Sequence, residues 1–279
     1  MMKNAPKMLE NFKAQARSNI MRANATRVSN LAMAAARYKR IGKSTQINWL
    51  PIVEIILVVC VLVFCCFVLI DRPVAMQRGQ LPNDVVAVSA FFTRFGKSDW
   101  ILIPSAVVLL ALLFLNTSTL STPKLFRLYR WNLWLSFILA GVGLPGLVAT
   151  ISKRIIGRPR PSQLKEFGLY DFQHFNADAA FASFPSGHAT TIGAFALVMA
   201  LLLPRFRMVF AAFAVLVGFS RVGVGAHHPS DVVAGLAFGA IGAFLVAKWF
   251  ASRGILFLST KANWPKLRPS MRLFSSLRH

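Results

Sequence analysis

Long apolar segments dominate the middle of the chain, and polar residues are concentrated between these segments and at both ends. Six apolar segments cover approximately residues 49–69, 100–115, 133–151, 189–203, 208–226 and 232–250. Each is close to the roughly 20 residues that a helix needs to cross about 30 Å of hydrocarbon, although the second and fourth are short. The pattern predicts an all-α, polytopic membrane protein with six transmembrane helices.

The polar ends predict a three-part organisation. Residues 1–46 contain ten Lys and Arg residues against one acid and are predicted to be a basic cytoplasmic N-terminal tail. Residues 47–250 form the six-helix transmembrane domain, and residues 251–279 are predicted to be a basic cytoplasmic C-terminal tail. The partly apolar segment 82–95 contains Asp84 and Arg94. Its mixed character predicts a helix that lies on the outer membrane surface.

The charge distribution predicts the orientation of the chain. Its net charge of +23 could indicate nucleic-acid binding, but most of the basic residues lie in segments that would share one side of a membrane. This bias favours a cytoplasmic location for both termini and predicts no nucleic-acid partner. The opposite, outer segments 70–99, 152–187 and 226–231 contain seven of the nine acids. Four cations nevertheless follow the third apolar segment on this outer side, which indicates an anion-binding site.

Three short segments at the predicted outer ends of the helices contain the residues for phosphate chemistry. They are Lys153 with Arg160-Pro161, then Pro185-Ser186-Gly187-His188, and then Ser220-Arg221 with His227 and Asp231. Three cations suit a tetrahedral dianion, because arginine offers a planar fork and lysine a point charge. Ser186 and Gly187 precede a predicted helix, whose first N–H groups favour the same anion.

The two histidines predict a route for phosphoryl transfer. Asp231 follows His227 by four residues, so the two side chains share one face of a helix that begins there. A carboxylate that accepts from one ring nitrogen leaves the other free for attack, and His188 remains to protonate the leaving oxygen. His228 has no such carboxylate, so His227 is predicted to be the nucleophile.

No metal or other cofactor is predicted for this site. The three cations supply the charge that a metal would bring, and the histidines and the carboxylate already have other roles. By their spacing, Arg154 and Arg158 are predicted to be supporting charges, and His174 is predicted to be a surface residue.

The three segments, in this order, resemble the three signatures of the type 2 phosphatidic acid phosphatase superfamily, and no position departs from the pattern. This resemblance implies the helical bundle that the family shares with vanadium-dependent haloperoxidases. It also implies that His227 forms a phosphohistidine and that His188 acts first as acid and then as base. Lys153, Arg160, Ser186, Gly187 and Arg221 would bind the phosphate oxygens.

The predicted function is therefore a bacterial inner-membrane lipid phosphatase whose active site faces the periplasm. The motifs do not separate lipid A, undecaprenyl diphosphate, phosphatidylglycerophosphate and phosphatidate as substrates, although an envelope lipid such as the first two is favoured. A phosphotransferase that passes the phosphoryl group to another lipid uses the same chemistry. An anion transporter, the alternative from another class, would explain the outer cations but not the histidines and Asp231. The sequence carries no information on the oligomeric state.

Overall fold

The computed structural model of the protein describes residues 50–117, 120–259 and 264–272, together with six isolated positions between residues 10 and 22. Most of the predicted N-terminal tail, residues 1–46, lies outside the described residues. So do residues 273–279 of the predicted C-terminal tail.

The described part of the chain is mainly helical. Its α-helices are α1 (Leu50–Cys65), α2 (Asp71–Gln77), α3 (Asn83–Phe92), α4 (Asp99–Leu113), α5 (Thr122–Ile156), α6 (Leu164–Phe167), α7 (Gly187–Leu202), α8 (Arg207–Gly223) and α9 (Pro229–Ser252). A π-helical turn, Cys66–Ile70, joins α1 to α2. A short antiparallel hairpin follows, in which β1 (Phe257–Leu258) pairs with β2 (Lys266–Leu267).

All six predicted apolar segments are helical, which confirms the fold class. Five helical segments of the described chain are long and apolar enough to cross a membrane: Leu50–Gln77, Asn83–Leu112, Thr122–Phe167, Pro204–Gly223 and Pro229–Ser252. The remaining apolar helix, α7, has only 16 residues, so the predicted number of six spans is approximate. Helix α7 lies in the centre of the bundle and packs against α9, α8 and α5.

The surface around the circumference of the helix bundle is strongly apolar. On α1, Leu57 is 60%, Val61 62% and Phe64 67% exposed. A contiguous apolar face of this kind is costly in water and favourable against lipid tails. This exposure agrees with the multi-pass membrane location that the apolar segments predict.

The end of the chain packs onto the bundle instead of leaving it at residue 250. Phe257 of β1 is fully buried, and its ring lies 4.8 Å from the ring of Phe137 in α5. Trp134 donates its indole N–H to the Met271 carbonyl at 3.2 Å. Residues 251–259 and 264–272, which were predicted to belong to a tail, therefore include folded segments that cover the end of the core.

Glycines bring α7 and α9 into backbone contact. A Cβ atom on Gly239 would lie 2.0 Å from the Thr190 carbonyl oxygen, and one on Gly235 would lie 2.6 Å from the Ser186 carbonyl oxygen. Small residues commonly permit such close helix packing in membranes. The contact sets the distance between the N-terminal ends of both helices.

This contact predicts a large stability loss for Gly239→Ala. The new methyl group would overlap backbone, which cannot move without separating the helices, so we expect a cost of about 1–3 kcal/mol. The midpoint of thermal unfolding in detergent, followed by Trp fluorescence, should fall by roughly 5 °C. Gly146→Ala in α5 is the matched control, because a Cβ atom there meets nothing within 4 Å. Equal midpoints for the two variants would contradict the packing described here.

Candidate active site

The first part of the site is a turn at the end of α5 that contains a glycine. Gly157 has a φ of +66°, and a Cβ atom on it would lie 1.7 Å from the carbonyl oxygen of Gln173. The Gln173 N–H also donates to the Gly157 carbonyl at 2.8 Å. Glycine satisfies both requirements, because it adopts the left-handed conformation and has no side chain. The turn places Arg158 and Arg160 beneath the outer loop, residues 161–185.

The N-terminal end of α7 lies beside Lys153 and the start of α9. Ser186 precedes the first turn of α7, and its N–H donates to the Asp231 carbonyl at 3.0 Å. The ammonium nitrogen of Lys153 lies 3.8 Å from the position that a Cβ atom on Gly187 would occupy. The structure therefore brings the first two predicted segments together at a helix N-terminus, where backbone N–H groups and a lysine suit an anion.

Two arginines in the site retain unpaired buried donors. Arg221 of α8 donates through one terminal nitrogen to the Thr93 hydroxyl at 2.5 Å. Among the described residues, the buried Nε atoms of Arg160 and Arg221 have no hydrogen-bond partner. Buried donors nearly always have a hydrogen-bond partner in native proteins. Two guanidinium N–H groups without one are therefore suited to bind an anionic ligand.

His227 is buried in the turn between α8 and α9, and it is only 4% exposed. Its Nδ1 lies 2.9 Å from the Ser183 carbonyl oxygen and 3.7 Å from Asp231 Oδ2. The nearer acceptor is therefore Ser183, whereas the sequence predicted the carboxylate in this position. When Nδ1–H donates to that carbonyl, Nε2 is the nitrogen that remains free for attack.

Burial lowers the pKa of His227 below its ordinary value, an effect that the neighbouring Asp231 opposes and the cations Arg221 and Arg160 reinforce. Burial therefore favours the neutral imidazole, which is the form that can act as a nucleophile.

His188 lies in the first turn of α7, next to the segment between α3 and α4. A Cβ atom on Gly96 would lie 2.7 Å from the Cβ of His188, so the backbone between α3 and α4 touches this side chain. Arg221 and His227 both lie close enough to the His188 ring to interact with it electrostatically. The structure therefore groups the two histidines with the predicted cations.

Asp231 is fully buried at the start of α9, and three groups donate to its carboxylate. Arg158 donates to Oδ1 at 2.5 Å, while the Ser183 hydroxyl and the His228 backbone N–H donate to Oδ2 at 2.6 and 2.9 Å. Arg158, which was predicted to be a supporting charge, thus forms a direct hydrogen bond with Asp231 and is itself only 1% exposed.

Sequence reasoning missed the polar partners Ser183 and Thr93. Ser183 lies just before the second motif, but a serine in a loop gives no pattern that identifies it. Thr93 contacts Arg221 from a helix 128 residues earlier in the chain. His174 is exposed, as predicted, and its ring nitrogen faces the Ile155 carbonyl at 3.3 Å. In the part of the chain that the structure describes, no group of three or more His, Cys, Asp or Glu side chains is arranged to hold a metal ion.

Comparison with known proteins identifies the family of this chain. The sequence model of the PAP2 superfamily matches residues 133–255. The chain is also 40% identical, over 207 residues, to a lipid A 1-phosphatase of Rhizobium johnstonii, and the match covers 73% of this chain and 82% of that protein. The chain belongs to the PAP2 superfamily. The resemblance of the three signatures is thereby confirmed, and this PAP2 chain is an enzyme of the lipid phosphate hydrolase class.

Other PAP2 proteins give similar matches. A lipid A 1-phosphatase of Rhizobium etli is 40% identical over 213 residues, covering 75% of this chain and 88% of that protein. An undecaprenyl-diphosphatase of Sulfolobus acidocaldarius is 30% identical over 56% of this chain and 66% of that protein. A solved structure, the transmembrane PAP2 type phosphatidylglycerolphosphate phosphatase from Bacillus subtilis, has 22% identity and a TM-score of 0.48, covering 71% of this chain and 94% of that one.

Proposed function

We propose that this enzyme removes the 1-phosphate of lipid A at the outer face of a bacterial inner membrane. Two lipid A 1-phosphatases are 40% identical to it over 73% and 75% of its length. The fold offers a site at one end of a membrane bundle, where a phosphate on a lipid headgroup can enter while the acyl chains stay in hydrocarbon.

The reaction proceeds in two phosphoryl transfers. Nε2 of His227 attacks phosphorus, the bond from phosphorus to the lipid oxygen breaks, and His188 donates a proton to that oxygen. Water, deprotonated by His188, then attacks the phosphohistidine and releases inorganic phosphate. Lys153, Arg160, Arg221, Ser186 and the Gly187 N–H stabilise the charge on the phosphate oxygens in both steps.

One observation carries this mechanism above the others. The buried imidazole of His227, whose pKa is lowered by burial, lies beside Arg160 and Arg221, whose buried Nε donors have no protein partner in the described chain. A nucleophile adjacent to unpaired cationic donors suits an anionic electrophile, and phosphate is the ligand that both features fit.

The orientation of the site rests on charge. The catalytic end of the bundle carries Asp71, Asp84, Asp99 and Glu166, whereas Arg127, Arg205 and Arg253 lie toward the opposite end. By the positive-inside bias, the opposite end faces the cytoplasm together with both termini, and the site faces the periplasm.

A second candidate substrate is undecaprenyl diphosphate. Relatives named as undecaprenyl-diphosphatases match this chain at 30% and 36% identity, over 56% and 38% of its length. Because their identity and coverage are lower, lipid A is the substrate that we propose first. Transfer of the phosphoryl group to another lipid remains the alternative fate of the phosphohistidine.

The substrate is tested by phosphate release from four lipids in detergent with EDTA present. We expect kcat/KM for lipid A to exceed that for undecaprenyl diphosphate, phosphatidylglycerophosphate and phosphatidate by at least about tenfold, a difference of roughly 1.4 kcal/mol in transition-state binding. Lipid A labelled at its 1-phosphate separates hydrolysis from transfer, because the label appears as free phosphate or on a second lipid. Preference for another lipid would overturn the lipid A assignment.

A further inference from the structure

Asp71 lies at the junction of the π-helical turn and α2 and is fully buried. A π-helical turn contains more residues than an α-helical turn, so it rotates the following side chains about the helix axis. Asp71 is directed toward the start of α9, where its Oδ1 accepts from the Ser230 N–H at 3.0 Å and its Oδ2 from the Ser230 hydroxyl at 2.5 Å. The first membrane helix thus contacts the last one beside the catalytic carboxylate.

Arg158 connects Asp71 to Asp231. One terminal nitrogen of its guanidinium donates to Asp71 at 2.7 Å, and the other donates to Asp231 at 2.5 Å and to the Ser230 hydroxyl at 2.7 Å. The ring of Phe67 covers the guanidinium at 4.7 Å. Two carboxylates and one guanidinium are therefore buried together as two ion pairs.

The network ends at the nucleophile. Asp231 accepts from the Ser183 hydroxyl at 2.6 Å, and the Ser183 carbonyl faces His227 Nδ1 at 2.9 Å. A continuous series of polar contacts therefore runs from Asp71 through Arg158, Asp231 and Ser183 to the reacting imidazole.

Packing alone does not explain why this network consists of charged side chains. Burying three ionised groups is costly, and replacement of such groups by apolar residues is often neutral or stabilising. A role in orienting His227 accounts for their arrangement, since a tautomer and ring angle are set by the groups that the second ring nitrogen meets.

We propose that Asp71 and Arg158 are positioning residues that orient Asp231 and Ser183, and through them His227, for attack on phosphorus. This inference rests on the proposed phosphatase function. Both side chains are almost fully buried, so we expect them to affect the rate of the chemical step and not lipid binding.

The kinetic test uses Asp71→Asn, Arg158→Gln and the double variant in full-length protein. Each single substitution should lower kcat for lipid phosphate hydrolysis on the order of 10- to 100-fold, with KM changed less than about twofold. The double variant should lose little more than the worse single variant, because both residues act through Asp231. Asp84→Asn, an exposed acid in the first turn of α3, is the matched control and should retain wild-type rates. Additive losses, or a rise in KM at constant kcat, would overturn the proposal.

A second measurement reads His227 without any substrate. Asp231, Arg160, Arg221 and His188 face this ring, and Arg158 and Asp71 lie behind Asp231 in the network. Loss of the Asp71 charge leaves the surroundings more positive and should lower the pKa of His227, while loss of the Arg158 charge should raise it. Titration of the five histidines by ¹⁵N NMR in detergent, with the His227 signal assigned from His227→Asn, measures both shifts.

The two measurements separate the failure of this inference from the failure of the proposed function. Opposite pKa shifts in a protein that hydrolyses no lipid phosphate would support the network and refute the phosphatase assignment. Normal hydrolysis by the wild type, with unchanged His227 titration in both variants, would refute the network alone. Unfolding midpoints and gel-filtration profiles identify a misfolded variant, and Arg158→Lys, which keeps the charge, then replaces Arg158→Gln and should recover part of kcat.

Discussion

Replacement of His227 by alanine is expected to abolish phosphate release. In the proposed mechanism the substitution removes the atom that forms the bond to phosphorus, and nothing else in the described site occupies its position. We expect kcat to fall by about 10³-fold or more, as is common when a nucleophile that acts as a unit with its neighbours is removed. Release of phosphate from lipid A, followed in detergent at pH 7, measures the effect.

The control for this substitution is His174→Ala. His174 lies exposed in the outer loop, so its loss removes a histidine without touching the buried groups. We expect its rate to stay within about twofold of wild type, because exposed substitutions away from a site have small effects. A His227→Ala protein that folds and keeps a tenth of wild-type kcat would exclude His227 as the nucleophile.

Replacement of His188 by asparagine should separate the two chemical steps. Loss of a general acid and base typically costs 10²- to 10⁴-fold, so lipid hydrolysis should fall by about that factor. An aryl phosphate such as p-nitrophenyl phosphate needs no acid for its leaving group, and with it the first transfer should survive. The variant should release roughly one equivalent of nitrophenolate per enzyme and then stop.

The arrested variant should carry the phosphoryl group. With a ³²P-labelled aryl phosphate, label should remain on the protein through denaturation in base and be lost in acid, as expected of a nitrogen–phosphorus bond. His188→Asn/His227→Asn is the matched control and should take up no label. Steady turnover of the aryl phosphate by His188→Asn, without a burst, would show that another group activates the water.

The predicted features that the structure confirms are those that depend on local sequence. Runs of apolar residues are a local signal for membrane helices, and each predicted apolar segment is found as a helix. Helix α5 covers Thr122–Ile156 and is longer than the predicted segment 133–151. The motif residues at the ends of α5 and α8 and at the starts of α7 and α9 were expected to meet because helix ends on one side of a bundle face the same region.

The features that were not predicted depend on contacts between distant parts of the chain. Asp71 was counted only as an acid of an outer connecting segment, since the π-helical turn that directs it inward has no sequence pattern to identify it. The sequence placed Asp231 next to His227 by helical spacing, but the intervening Ser183 comes from a different loop. Arg158 was judged by its distance from the signature positions, and that distance says nothing about two carboxylates 87 residues before it and 73 residues after it.

The contact between Asp71 and Ser230 also affects the biosynthesis of the enzyme. Asp71 leaves the ribosome 159 residues before Ser230. At roughly 5–20 residues per second, the interval between them is about 10–30 s. During that time the first helix is already in the membrane while its carboxylate has neither the serine nor Asp231 nearby. Assembly of the site therefore ends with the docking of α9 onto α1 and α7, and a nascent chain cannot dephosphorylate the membrane that receives it until its last helix has been inserted.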